Sequence, residues 1–386
     1  MKKIKGDNMT DSSLISSEQN QSQTLSKEKT AAILISRQPL RTSLKSPWLE
    51  AARKAVIWSG KNGYTLITSA GVKTWEMLLY LAARYSVSSK TMLIASDERE
   101  YREKCEWVRT QFRLKEYSSF VPVICTEKKS AGHLRDRIIA ETADTLVPVS
   151  VRSGGNIRSL LDKIEKSGKP VERRFEIPYR KRDEKIKYSL TNEIAGIKLQ
   201  DTLDSYLIHW TRTSEGPWPG EILADYYEAI LNSESYPRDA FSTLKKILSA
   251  GIITASSRHM PSGVRTVSFT GATLEEFVPL MRWRARYREM SFEPYGIGLE
   301  KQTALQRGIY EVIYDEHPVK TGSQKRWIYQ STGKKGLWTV EKEYRCRGDF
   351  SLREIQPGKI ICFCFKRDEA EEIERKFKVK AVSFCG

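Results

Sequence analysis

The 386-residue sequence predicts two fold classes in succession: an α/β domain with a parallel sheet over residues 31–175, then an α+β domain over 201–386. Three observations carry this. From residue 31 to about 170, short apolar runs alternate with stretches of helical period, the pattern of strands joined by helical crossovers. From about 172 to 200 that rhythm breaks, as Arg173, Arg174, Arg180, Lys181, Arg182, Lys185 and Lys187 mix with acids around Pro178. Beyond 201, many strand-like runs have few helices between them.

Residues 1–30 are rich in Ser, Gln, Asn, Thr and Lys and hold almost no large apolar side chains. Burial cannot offset their ordering entropy, so a disordered tail is expected. Residues 33–35 read as a short strand. A helix over 48–58 follows Pro47, with Leu49, Ala52 and Val56 at helical spacing. Residues 64–68 read as a strand between Gly63 and Gly71, and further strands are expected at 91–95, 121–125 and 146–151. Helices are expected at 74–85, 98–111, 134–142 and 156–167, the last ending at Gly168. Residues 176–200 read as a basic linker. In the second half, strands are expected at 206–211, 266–270, 296–299, 309–314, 359–365 and 381–384. Helices are expected at 221–231, at 240–250 up to Gly251, and at 369–377.

Composition narrows the function classes. Apolar residues make up 39% and charged residues 29%, which supports real cores and excludes a wholly disordered chain. The longest apolar runs, such as 360–365, fall far short of the ~18–20 residues that span a bilayer, so no membrane partner is expected. No apolar segment follows the N-terminal lysines, so no secretory signal is expected. Six cysteines show no repeated spacing, and Cys362 and Cys364 are one residue apart, which points to free thiols in a reducing cytoplasm. His133, His259 and His317 lack Cys or carboxylate neighbours at ligand spacing, so no metal is expected. Lys and Arg total 65 against 48 Asp and Glu, a net charge of +17 that attracts polyanions without selecting among them.

Two strand-to-helix junctions in the first half carry small residues: Thr68-Ser69-Ala70-Gly71-Val72-Lys73 and Val151-Arg152-Ser153-Gly154-Gly155-Asn156. A helix N-terminus offers unpaired N–H groups and the positive end of its dipole, glycines permit close backbone approach, and hydroxyls add donors. In a parallel sheet both junctions lie at the carboxyl ends of strands, where ligands bind. Ser69, Gly71, Ser153, Gly154, Gly155 and Asn156 are therefore candidate nucleotide- or phosphate-binding residues. Neither junction is a G-x-G-x-x-G or G-x4-G-K-[ST] motif.

The order TLITSAGVKTWEM, then ADTLVPVSVRSGGNIRSLL, resembles the SLOG superfamily, a Rossmann-like fold shared by DNA-processing proteins and lonely-guy/lysine-decarboxylase-like enzymes. The resemblance covers about residues 36–175. It implies a nucleotide-derived ligand or nucleic acid facing both turns. The enzymatic members carry PGGxGTxxE, whose Thr and Glu are missing from RSGGNIRSLL, and this favours binding or sensing by this domain.

In the second half, Glu341 and Glu343 are spaced i, i+2 and face the same way if the segment is extended. Paired carboxylates suit an oxocarbenium-like transition state in glycosyl transfer. A His or Arg on another strand can hold a ribose hydroxyl or a phosphate, and Tyr295 or Trp338 can stack on a nicotinamide or base. The motifs HWTR at 209–212, TLKKILSAG, VSFT and EKE, in that order, resemble the ADP-ribosyltransferase-like fold, including DNA-targeting toxins and abortive-infection domains. The resemblance implies NAD as the cofactor, Glu343, Glu341 and His209 as the catalytic residues, and His209 or Arg212, with Tyr295, as NAD contacts. Arg282-Trp283-Arg284-Ala285-Arg286 interleaves cations with aromatics. Extended, it suits single-stranded nucleic acid through Arg282, Arg284 and Arg286; helical, which is slightly favoured, it is a basic surface helix. Together the two resemblances imply a bacterial-defence-type protein whose sensing domain controls an NAD-using domain. The alternative is a nucleic-acid-binding protein that does no chemistry.

Overall fold

The structure, a computed structural model, describes residues 28–127, 130–180, 185–188, 205–257, 260, 263–284, 289–315, 326–332 and 338–385. Most of the expected tail, most of the expected linker, and Arg286 lie outside these residues.

The first unit alternates strand and helix: β1 Thr30–Ile35, α1 Pro47–Lys61, β2 Thr65–Ser69, α2 Lys73–Arg84, β3 Ser89–Ala95, α3 Glu98–Phe112, β4 Ser118–Ile124, α4 Ala131–Thr142, β5 Thr145–Ser150 and α5 Asn156–Lys166. The five strands form one parallel sheet in the order β4-β3-β2-β1-β5. Every residue of β1, β2 and β5 is buried, as in a parallel sheet covered on both faces. The helices start where local chemistry allows. Pro47 sits at the first position of α1, and the Asp97 carboxylate accepts the Glu100 N–H at 2.8 Å to cap α3. The unit is Rossmann-like, with its strand order reversing at β1, between β2 and β5.

Residues after α5 follow the β5 edge instead of leaving the sheet. The Glu172 N–H donates to the Leu146 carbonyl at 2.8 Å, and the Ile177 N–H to that of Val149 at 2.7 Å. Farther on, Tyr188 is anchored in the second unit, edge-on to Tyr295 and Phe365.

The second unit holds β6 Tyr206–Trp210, α6 Leu223–Leu231, α7 Ala240–Ala250, β7 Ile252–Ile253, β8 Thr266–Thr270, α8 Leu274–Phe277, β9 Trp283–Arg284, β10 Glu289–Met290, β11 Gly296–Glu300 and α9 Lys301–Gln306. It continues with β12 Tyr310–Glu311, β13 Ile313–Asp315, β14 Tyr329–Ser331, β15 Glu343–Arg347, β16 Phe350–Ser351, β17 Ile360–Cys364, α10 Arg367–Phe377 and β18 Lys380–Ser383. Seven strands form a mixed sheet, β12-β15-β8-β6-β11-β17-β18, in which only the β17–β18 pair is parallel. Separate apolar clusters pack around Leu207, Ile297 and Cys362 and around Ile208, Trp210 and Phe363. This in–out alternation is the period-2 signature of a sheet covered on both faces. Gly296 pairs with Trp210, where a Cβ would sit 2.8 Å from the indole and 3.0 Å from the His209 carbonyl. The bare backbone there lets Trp210 stack on Phe277 with ring centroids 3.9 Å apart.

Several elements differ from the sequence reading. The stretch 309–314 is broken into β12 and β13 at Val312, whose N–H donates to the Glu343 carbonyl at 2.9 Å. Trp283 and Arg284 form a short strand paired with β10, not part of a helix. The helix α6, though it lies in the second half of the sequence, packs on the first unit. Tyr227 stacks with Tyr80 and Phe112, its hydroxyl donates to Glu76 Oε2 at 2.6 Å, and Gln111 Oε1 accepts the Leu223 N–H at 3.1 Å.

Candidate active site

A cavity of about 390 Å³ opens in the second unit between β6, β8, the β9–β10 hairpin and the start of β15. His209, Arg212, Ser268, Glu341, Glu343 and Arg345 are among the residues that line it. The order of the central strands explains this convergence. β8 separates β6 from β15, so the His209 strand and the Glu343 strand flank the strand that bears Ser268.

Each group is held by its neighbours. His209 Nδ1 lies 2.8 Å from the Ser268 carbonyl, and the ring meets Phe269 edge-on. A carbonyl only accepts, so Nδ1 carries the hydrogen and Nε2 keeps a lone pair. Burial pushes the imidazole pKa down, and the Arg212 charge adds to this. Glu343 Oε1 accepts the Ser268 hydroxyl at 2.7 Å and Arg345 Nε at 2.8 Å, while Oε2 accepts Arg345 Nη2 at 2.7 Å. Arg284 Nη2 stands 3.6 Å from Glu341 Oε1, and Arg284 Nε donates to Ser291 Oγ at 2.7 Å. Burial holds the Glu341 carboxyl above its ordinary pKa; the nearby Glu343 charge raises it further, and Arg284, Arg212 and Arg345 oppose the shift.

The two carboxylates reach the same cavity by a route other than plain extension. Glu341 ends a 3₁₀ turn, Trp338–Glu341, and Lys342 takes a left-handed φ of 41° before β15 begins. The Thr270 hydroxyl donates to the Glu341 carbonyl and the Gly271 N–H to that of Lys342, tying the bend to the end of β8. Ser268 was legible only as part of a strand motif. Arg345, two residues past Glu343, carried no signal beyond its charge.

Tyr295 is not brought to this cavity. It is buried in the other apolar cluster beside Phe241, and its hydroxyl donates to Glu369 Oε1 at 3.0 Å. Arg284 turns to Ser291 and Glu341 within the cavity, whereas Arg282 is exposed.

In the first unit, the two candidate turns flank the exit of β1, as β2 and β5 are its neighbours. They differ in what they offer. Gly71 has φ +86°, and its N–H donates to Glu76 Oε1 at 3.0 Å, so a carboxylate of α2 already occupies that helix start. Ser69 is fully buried and its hydroxyl donates to the Met92 carbonyl at 2.6 Å, which ties β2 to β3 and uses the one hydroxyl proton. The Lys73 ammonium donates to the carbonyls of Leu40 and Glu215, and burial lowers its pKa to about 8. The β5–α5 turn is different. Gly154 has φ +67°, Gly155 is the N-cap of α5, and no acid lies in the first helical turn. Ser153 is exposed, and Asn156 Nδ2 is 2.9 Å from His133 Nδ1.

No protein-family model matches the chain, and no curated protein matches it by sequence. Several solved structures are similar to its fold, and three are compared with it. The molybdenum cofactor carrier protein MCP from Chlamydomonas reinhardtii shares 13% identity over 38% of this chain and 75% of that chain, with a TM-score of 0.26. DNA processing protein A from Streptococcus pneumoniae shares 13% over 38% of this chain and 50% of that chain, with a TM-score of 0.28. DNA processing protein A from Helicobacter pylori shares 14% over 39% of this chain and 68% of that chain, with a TM-score of 0.26. Among the described residues, no helix is long and apolar enough to cross a membrane, and no cluster of three His, Cys, Asp or Glu could hold a metal ion.

The depressed imidazole pKa makes a prediction about pH. The folded pKa of His209 lies below its unfolded value near 6.5, so the unfolded chain binds more protons between the two values. Stability from this group is present above about pH 6.5 and falls as pH drops towards the folded pKa. Buried Glu293 and half-buried Glu341, raised above their ordinary pKa, contribute with the opposite sign. The difference between proteins therefore isolates the histidine. His209→Gln is expected to lose less stability than wild type between pH 7.5 and 5.5 in urea unfolding; equal losses would contradict it.

Proposed function

We propose that the second unit transfers ADP-ribose from NAD, or hydrolyses NAD, under the control of a SLOG-like first unit that binds a nucleotide-derived ligand or nucleic acid. One observation carries this reading: a single cavity gathers His209 and Arg212, from β6 and the residues just after it, with Glu341 and Glu343, from the bend into β15, and Ser268 donates to Glu343. Its volume of about 390 Å³ is within the ~300–1,000 Å³ of small-molecule sites. Arg212 supplies positive charge suited to a pyrophosphate, and His209 Nε2 supplies an acceptor for a ribose hydroxyl.

The Glu343 carboxylate is suited to the positive charge that develops on the ribose as the bond from C1′ to the nicotinamide nitrogen breaks. The electron pair leaves with that nitrogen, giving neutral nicotinamide. The acceptor's oxygen or nitrogen then bonds to C1′ and gives up its proton. Glu341, held above its ordinary pKa, is the carboxylate suited to take it. The open β5–α5 turn is the part of the first unit best suited to a phosphate. A sensing unit joined to an NAD-consuming one is the arrangement of a bacterial-defence protein.

The test is incubation of the full chain with NAD, with and without DNA or RNA, reading nicotinamide release and mass shifts on protein and nucleic acid. Release that depends on Glu343 supports the reading, and no release under any condition rejects it. A second reading, nucleic-acid binding without chemistry, draws on the net charge of +17 and the exposed Arg282. It requires affinity that falls steeply with salt in protein that releases no nicotinamide.

A further inference from the structure

We infer that Arg345 is a positioning residue for the proposed transfer, orienting Glu343 so that a single acceptor position on Oε2 is left for substrate. This rests on the reading that Glu343 faces the reacting ribose. Arg345 follows Glu343 by two residues on β15, so both side chains leave the strand on the same face. Nε and Nη2 grip the two carboxylate oxygens separately, at 2.8 and 2.7 Å. This is the two-pronged geometry of a guanidinium, which an ammonium cannot reproduce. Each carboxylate oxygen accepts about two hydrogen bonds. With the Ser268 hydroxyl also on Oε1, that oxygen is saturated. Oε2 has one partner among the described residues and so keeps one position.

Arg345 is itself locked. It is 3% exposed, Nη1 donates to the Trp327 carbonyl at 2.9 Å, and Nη2 also donates to Gln330 Oε1 at 2.8 Å. Gln330 lies on β14, which pairs with β13, and the residue opposite it is Tyr314. The Tyr314 hydroxyl accepts the Glu343 N–H at 3.2 Å. The β13–β14 ribbon thus braces the backbone of Glu343 through Tyr314 and its side chain through Arg345. Buried ion pairs of this kind add little net stability, so stability alone does not account for the arrangement.

The experiment measures nicotinamide release from NAD by full-length wild type, Arg345→Lys and Arg345→Gly, with and without millimolar guanidinium chloride, and follows thermal unfolding in parallel. Arg345→Lys is expected to lower kcat by about 10–100-fold, as loss of an outer-shell partner does, while KM for NAD changes by less than about threefold. Guanidinium is expected to restore part of the activity of Arg345→Gly; ammonium is not. A merely structural role would show no such selective rescue. If Arg345→Gly does not fold, Gln330→Met removes one anchor of the fork and is expected to lower kcat by about tenfold with Arg345 in place. Full activity of Arg345→Lys beside an active wild type overturns this inference and leaves the transferase reading standing. A wild type that releases no nicotinamide overturns both.

Discussion

Glu343→Gln is expected to suppress nicotinamide release by about 10²–10³, or ~2.7–4 kcal/mol, the usual effect of losing one preorganised electrostatic group. The substitution keeps the shape of the side chain and one carbonyl oxygen, but removes the negative charge suited to the developing positive charge on the ribose. NAD affinity should change little, because the charge is needed as the bond breaks rather than when the ground state binds. The variant also leaves the Arg345 guanidinium, 3% exposed, beside a neutral amide. A lower unfolding temperature should therefore accompany the lost turnover. Glu341→Gln is the companion variant, expected to alter labelling of acceptors more than nicotinamide release. Steady-state release and isothermal calorimetry with NAD separate these effects. A fully active Glu343→Gln would sink the transferase reading.

The largest expected change in stability lies outside the cavity. Arg238→Met is expected to destabilise the fold by about 3–5 kcal/mol, as removing one partner of a buried ion pair leaves the other charge uncompensated. Arg238 is 4% exposed, donates from both Nε and Nη2 to the Glu221 carboxylate, and lies over the Trp218 ring with its guanidinium carbon 3.8 Å from the centroid. Its carbonyl accepts the Ser214 N–H at 2.8 Å. This knot fastens the segment between Arg212, in the cavity, and α6, on the first unit. Urea unfolding of Arg238→Met and of Arg238→Met with Glu221→Leu tests the cause. The double variant should recover most of the loss because no lone charge remains. A single-variant loss under about 1 kcal/mol would mean the pair is hydrated and unimportant.

The first unit was legible almost element by element, because its signals are local. Residues 33–35 and 64–68 read as strands and fall on β1 and β2, which are buried throughout, while the helices show their own period and terminal residues. The short pieces of the second unit were not. β9, β10, β13 and β14 are two or three residues long, and β13 and β14 pair across more than a dozen intervening residues. Intrinsic preference over so few residues is too weak to decide conformation. The arginine segment could therefore be read as a helix although Trp283 and Arg284 pair with β10.

The candidate site divides along the same line. The sequence alone determined the residue types: two carboxylates one residue apart, a His–Trp–Thr–Arg strand end, and two small-residue turns after strands. Which of these meet was decided by tertiary structure. Strand order placed His209, Ser268 and Glu343 on neighbouring strands and left Tyr295 in the opposite cluster. The left-handed Lys342 bend, tied to β8, brought Glu341 into the same cavity as Glu343. Burial then set the protonation tendencies, lowering the pKa of His209 and raising that of Glu341. Desolvation and charge proximity depend on distances across the folded chain, and spacing along the sequence does not contain them.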